Sequence, residues 1–166
     1  MWSVSRQCLR ILLVLNIVAS VVFVVILIAT VWPLAPRIEH GLAIRFPQVD
    51  AHGLLVVFRL VLGIGLLTAG AAHLIFRRLL AIIATAAAGD PFTAANGARL
   101  RVIAWALLAI QILDLGFGAI SLTMDASVGL DWNFSLGGWI AVLMLFVLAR
   151  VFEQGSRMRD ELAMTV

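Results

Sequence analysis

Long apolar runs separated by short polar stretches set the pattern of this chain. The first, from Ile11 to Pro36, carries no charge and is rich in Val, Ile and Leu, so it exceeds the roughly 20 residues that a bilayer core requires. It predicts a spanning helix over 11–32, with Trp32 in the interfacial aromatic belt and Trp32-Pro33 breaking the run. A signal peptide's apolar region is only about 7–15 residues long, so an uncleaved anchor is expected.

A second span is predicted over 54–76, interrupted only by Arg59 and His73. Its apolar pattern continues past Arg77-Arg78 to Ala88, a helix of roughly 52 Å against about 30 Å of hydrocarbon. Its last turns should therefore leave the bilayer and end at Gly89. The third span, 102–123, contains Gln111 and Asp114 and has Trp105 near its start; the fourth, 136–152, opens on Gly137-Gly138-Trp139 and places Arg150 to snorkel at its end. Gly65 and Ala69, with Gly116, Gly118, Gly137 and Ala141, permit close helix approach.

The connection 33–53 is too mixed to span. Leu42, Ile44 and Phe46 alternate with Ala43 and Arg45, which suggests a short interfacial strand or an irregular lid. Glu39, His40, Asp50 and His52 carry metal-binding atoms, but their spacing matches no ligand pattern, and no metal is assigned.

Composition strengthens the membrane reading. The chain is 63% hydrophobic and 13% charged with a mean hydropathy of +1.11, whereas soluble domains are roughly 45–50% apolar and about 25% charged. All twelve basic residues are arginines, so the pI near 11.0 reflects a few scattered cations, and direct nucleic-acid binding is not implied. Cys8 stands alone and excludes an intrachain disulfide.

Charge also orients the spans. Arg6, Arg10, Arg77, Arg78, Arg99, Arg101, Arg150, Arg157 and Arg159 fall on one side, and Arg37 and Arg45 on the other. The positive-inside rule then places both termini in the cytoplasm, with a hinge at 77–101 and a tail at 153–166. The expected fold is all-α: one polytopic domain over 1–166 with four transmembrane helices, in the cell's inner (plasma) membrane.

Candidate chemistry is sparse. Asp90-Pro91 reads as a helix entry, with Thr93 and Asn96 as a competing cap, and Gly89 can end the preceding helix. Arg59 and Asp114 are expected to pair inside the membrane, with Gln111 or Thr68 as a further partner, because a charge at a helix centre costs roughly 2.5–3.5 kcal/mol. No nucleophile–base–acid set, phosphate loop or zinc-protease helix is present, so neither an enzyme nor a cofactor is expected.

Gly89-Asp90-Pro91-Phe92-Thr93 with Asn96, the run Arg99-Leu100-Arg101-Val102-Ile103-Ala104-Trp105, and the closing Val151-Phe152-Glu153-Gln154-Gly155 to Arg157-Met158-Arg159-Asp160-Glu161 with Thr165-Val166 resemble a bacterial membrane-protein family catalogued as domain of unknown function 2975. The resemblance implies four membrane helices and a partner, since many members are encoded beside a small helix-turn-helix regulator. The expectation is a membrane-anchored regulatory or docking protein. Asp90, Pro91, Phe92, Thr93, Asn96, Arg99 and Arg101 in the hinge would receive the partner, together with Arg157, Arg159, Asp160 and Glu161 in the tail. The alternative is a small transporter or channel subunit using Arg59 and Asp114, and a homo-oligomer is compatible with either.

Overall fold

The computed structural model describes residues 2–32, 34–89, 92–124 and 128–163, with side-chain surroundings defined for 4–159 of these. Helices α1 (Trp2–Val31), α2 (Ala35–Arg45), α3 (Ala51–Ala87), α4 (Ala94–Ser121) and α5 (Leu136–Ala163) account for most of them, and no strand occurs among the described residues. All but α2 are long and apolar enough to cross a membrane. At 1.5 Å per residue the 37 residues of α3 extend about 55 Å, so the long helix expected from the sequence forms and outruns the hydrocarbon.

Side-chain caps set three of the helix starts. An Asp50 carboxylate oxygen accepts from the Gly53 amide at 2.7 Å, the Thr93 hydroxyl from the Asn96 amide at 3.2 Å, and the Ser135 hydroxyl from the Gly138 amide at 3.3 Å. Each satisfies a donor that the first turn leaves without an intrahelical partner. Helix α3 ends at Ala87, and Gly89 turns the chain out of it with a φ of +87°, the left-handed conformation that a Cβ disfavours. Thr93 therefore fills the capping role at the start of α4; Asp90 and Pro91, the other expected entry, lie outside the described residues.

Residues 35–45 form a helix, which replaces the strand or lid expected from alternation. Pro36 sits in its first turn, where the missing N–H costs nothing. Ile38, Leu42 and Phe46 recur every four residues and line an apolar cavity of about 320 Å³ with Leu54, Val61 and Leu130. Ile44, which made the pattern look two-fold, is exposed.

The chain forms two compact units, and the division falls within α1, α3 and α4. The first comprises Met1–Asn16, Ala71–Gln111 and Ser135–Val166. Leu100 and Ile103 of α4 and Ala149 of α5 form its buried centre, flanked by Ile75, Leu79 and Ile82 of α3 and by Leu145 and Phe152. The 3–4 residue spacings on each helix give one apolar stripe per element. The second unit comprises Ile17–Gly70 and Ile112–Phe134. Leu54, Leu55, Leu62 and Ala69 are buried along α3, and the Phe23 ring packs on Gly65, where a Cβ would stand 2.6 Å from the ring edge. Gly65 thus serves the close approach that the Gly65/Ala69 spacing predicts.

Much of the apolar surface is left uncovered. On α1, Val14, Val18, Val21, Val25 and Ile28 are all exposed, and none of its most apolar window is buried. Water would penalise such a helix at roughly 25 cal/mol per Å², whereas lipid tails solvate it at no such cost.

Candidate functional site

The hinge is a polar knot between α3 and α4 in the first unit. Thr85 lies in the last turn of α3, and its hydroxyl donates to the Ile82 carbonyl at 2.9 Å. That leaves its oxygen to accept from Asn96 Nδ2 at 2.8 Å. Asn96 Oδ1 is then free to accept from Arg99 Nη1 at 2.7 Å, and the same guanidinium nitrogen reaches the Ala81 carbonyl at 3.3 Å. Asn96 has no accessible surface at all. An Asn carries two donors and a two-lone-pair acceptor, and this position needs both kinds at once.

The tail is fastened to the start of α4. The Phe92 and Phe152 rings lie 5.0 Å apart at 31°, and Arg101 forms an ion pair with Glu153. Gly97 allows the approach, because a Cβ there would meet Glu153 Cγ at 2.8 Å and the Glu153 backbone nitrogen at 3.3 Å. Helix α5 continues through residues 153–163, so the expected tail is an ordered extension of the last span.

The expected partner-binding residues therefore separate into groups. Asn96 is interior, its side chain held by Thr85 and Arg99, so it does not reach a docking surface; Arg99 is half-buried, with Nη1 turned to Asn96 and the Ala81 carbonyl. Thr93 is half-buried and occupied as a cap. Phe92, Arg101, Arg157 and Arg159 are exposed. Asp90 and Pro91, and the side chains of Asp160 and Glu161, lie outside the described residues. Sequence reasoning missed Thr85 and Glu153. Thr85 is a lone hydroxyl in the run Ile82-Ile83-Ala84-Thr85-Ala86-Ala87, and that isolation was the available signal.

The expected Arg59–Asp114 pair, in the second unit, is not formed. Arg59 Nη2 donates to the Thr30 carbonyl, one residue before the end of α1. Terminal carbonyls lack intrahelical partners and carry the negative end of the helix dipole, which makes them a natural seat for a cation. Asp114 instead accepts from the Trp132 indole N–H at 3.2 Å. The same indole packs on Gly118, where a Cβ would come within 2.5 Å of the ring, and the Ser121 hydroxyl donates to the Leu130 carbonyl. Asp114 and its neighbours thus hold Leu130 and Trp132 of the 128–134 segment against α4. Gln111, in the first unit, is buried against Gly138 and leaves its Nε2 without a hydrogen-bond partner.

Because Arg59 and Asp114 share no partner, exchanging them (Arg59→Asp with Asp114→Arg) should add the two defects, not cancel them. Unfolding in mixed detergent micelles measures this, and an exchange variant more stable than either alanine single would show that the two side chains meet.

Elsewhere in the second unit, His52 and Glu39 approach to 3.5 Å, with the imidazole mostly exposed, and among the described residues no three His, Cys, Asp or Glu side chains gather as metal ligands.

An all-α chain whose described residues include four helices of membrane length and apolarity has the architecture of an integral membrane protein. It belongs to the family described as Protein of unknown function (DUF2975), which matches residues 43–166 and so takes in both the hinge and the tail. Neither the curated proteins nor the solved structures offer a match.

Proposed function

We propose that the protein is a membrane-anchored docking protein, without catalytic activity of its own, whose hinge and tail hold a small cytoplasmic regulator. The observation that carries this reading is the fastening of the α5 extension to the start of α4 through Phe92–Phe152 and Arg101–Glu153. Such fastening presents a surface already in its binding geometry, so a partner spends little free energy on ordering it. Phe92 and Met158 are at least half exposed, at 50% and 59%, and with Arg157 and Arg159 they supply the mixture of large apolar and arginine side chains that interface centres favour. The arginine distribution supports a cytoplasmic location for this surface in the inner membrane. Helix-turn-helix regulators are the partner class that the family resemblance implies.

The test is photo-crosslinking in native membranes, with the reactive group at Phe92 in one variant and at Met158 in another. The expected result is one small DNA-binding protein captured at both positions, with its capture at Phe92 lost when residues 153–166 are removed. Capture of the chain's own copies alone would overturn docking in favour of a homo-oligomer.

A further inference from the structure

Two cavities adjoin on the outside of α4 and α5 in the first unit, and they share Arg150 and Glu153. The larger, of about 460 Å³, has an apolar wall of Trp105, Phe146 and Val147 and a polar end at Arg101. The smaller, of about 190 Å³, is polar and adds Gln154 and Arg157. Trp105 and Phe146 stand edge to face at 5.3 Å. The site is therefore apolar along one part and cationic along the other, at the point where the α5 run Leu143-Met144-Leu145-Phe146-Val147-Leu148 gives way to Arg150 and Glu153.

Charge decides what fits. Three guanidiniums face a single carboxylate, and Glu153 is committed to Arg101. Arg150 and Arg157 make no ion pair within 4.0 Å among the described residues. They lie seven residues apart on α5, two turns along one face, so both can turn toward one anion. Guanidinium forks suit phosphate oxygens, and basic pockets beside membrane helices are suited to lipid headgroups.

We propose that this cleft binds an anionic glycerophospholipid, its phosphate held by Arg150 and Arg157 with Arg101 at the rim, and an acyl chain laid on Trp105, Phe146 and Val147. A soluble phosphate ester would use only the cationic end. The apolar wall is what selects a lipid. The proposal needs no protein partner; Arg157 and Arg101 are common to both surfaces, whereas Arg150, Trp105, Phe146 and Val147 belong to the cleft and not to the docking residues.

Native mass spectrometry of the full chain in detergent tests it, with phosphatidylglycerol and phosphatidylcholine of equal chain length as probes. Phosphatidylglycerol should be retained preferentially. Arg150→Gln with Arg157→Gln should weaken it about 25-fold, at about fivefold per arginine, while Arg37→Gln with Arg45→Gln should leave it unchanged. The Arg150→Lys with Arg157→Lys variant should keep most of the binding, and Trp105→Ala should lower it, so the proposal stays testable if the glutamine pair fails to fold. Equal retention of the two lipids, or undiminished phosphatidylglycerol binding in the glutamine pair or in Trp105→Ala, would overturn the proposal. Displacement of the lipid by a comparable concentration of soluble glycerol phosphate would assign the site to a free phosphate ester and overturn it equally.

Discussion

Asn96→Ala is expected to cost the protein about 2 kcal/mol, the range for stranding a charged donor and a hydroxyl in a buried site. The side chain is fully enclosed and satisfies Thr85 and Arg99 together. Truncation leaves the Arg99 guanidinium with only the long 3.3 Å contact to the Ala81 carbonyl, and leaves the Thr85 oxygen without its donor. Hydrogen bonds between membrane helices average only about 0.6 kcal/mol, so one lost bond would not suffice. The larger expectation follows from losing two at once with a cation attached. Thr85→Val alone should cost less, because Asn96 then keeps Arg99. The double variant should be less unstable than the sum of the singles by about 1 kcal/mol, the coupling of residues in one network. Additive single and double effects, measured by unfolding in mixed micelles, would show that the knot does not act as a unit.

This knot also shows where sequence reasoning stopped. The polar residues of the hinge were identifiable as the anomaly between two apolar runs, and a polar cluster without context reads as a surface. Burial is decided by what packs over it. Here the Thr85 contribution comes from the preceding helix, in a stretch whose composition carries almost no signal. The spans themselves were legible because the bilayer fixes their length and because every backbone group within it must be satisfied by helix. Residues 35–45 were not, since a window holding Leu42, Ile44 and Phe46 fits a period of two as well as the Ile38, Leu42, Phe46 spacing fits a period near four. Arg59 and Asp114 each have a polar partner, though not one another. Their true partners, a helix-terminal carbonyl and a loop indole, are a backbone atom and a residue in a short connection, and residue-type pairing cannot point to either.

Small residues divide in the same way. The sequence marked Gly137 and Ala141 for close approach, yet a Cβ at Gly137 would meet open space, while Gly138 is the position that Gln111 crowds. One residue is a rotation of about 100° around a helix with 3.6 residues per turn, so the rule finds the neighbourhood and misses the face.

Gly97→Val should open the contact between α4 and α5 and cost about 3 kcal/mol, at the upper end of the range for forcing bulk into a packed site. Two effects oppose each other at this glycine. Replacing Gly inside a helix with Ala gains about 1 kcal/mol of backbone propensity, which argues that a smaller change could even be stabilising. Against it, a Cβ would stand 2.8 Å from Glu153 Cγ and 3.3 Å from the Glu153 backbone nitrogen, with the Ala149 carbonyl oxygen at 3.6 Å. A side-chain tip could swing aside, but a Cγ next to the backbone moves only with the helix or with loss of the Arg101–Glu153 pair. Gly97→Ala should therefore fall near neutral or slightly destabilising, with propensity and crowding in balance. Valine adds two methyl-sized groups and loses most of the propensity gain through its branched Cβ, so crowding prevails. Gly70→Ala serves as the reference, because a Cβ there meets nothing within 4 Å and only the propensity term acts. The ordering Gly70→Ala most stable, then Gly97→Ala, then Gly97→Val, read from unfolding in mixed micelles, is the expected outcome. A Gly97→Val protein as stable as the parent would mean that the tail helix is not seated on α4, and with it would fall the preordered surface on which docking depends.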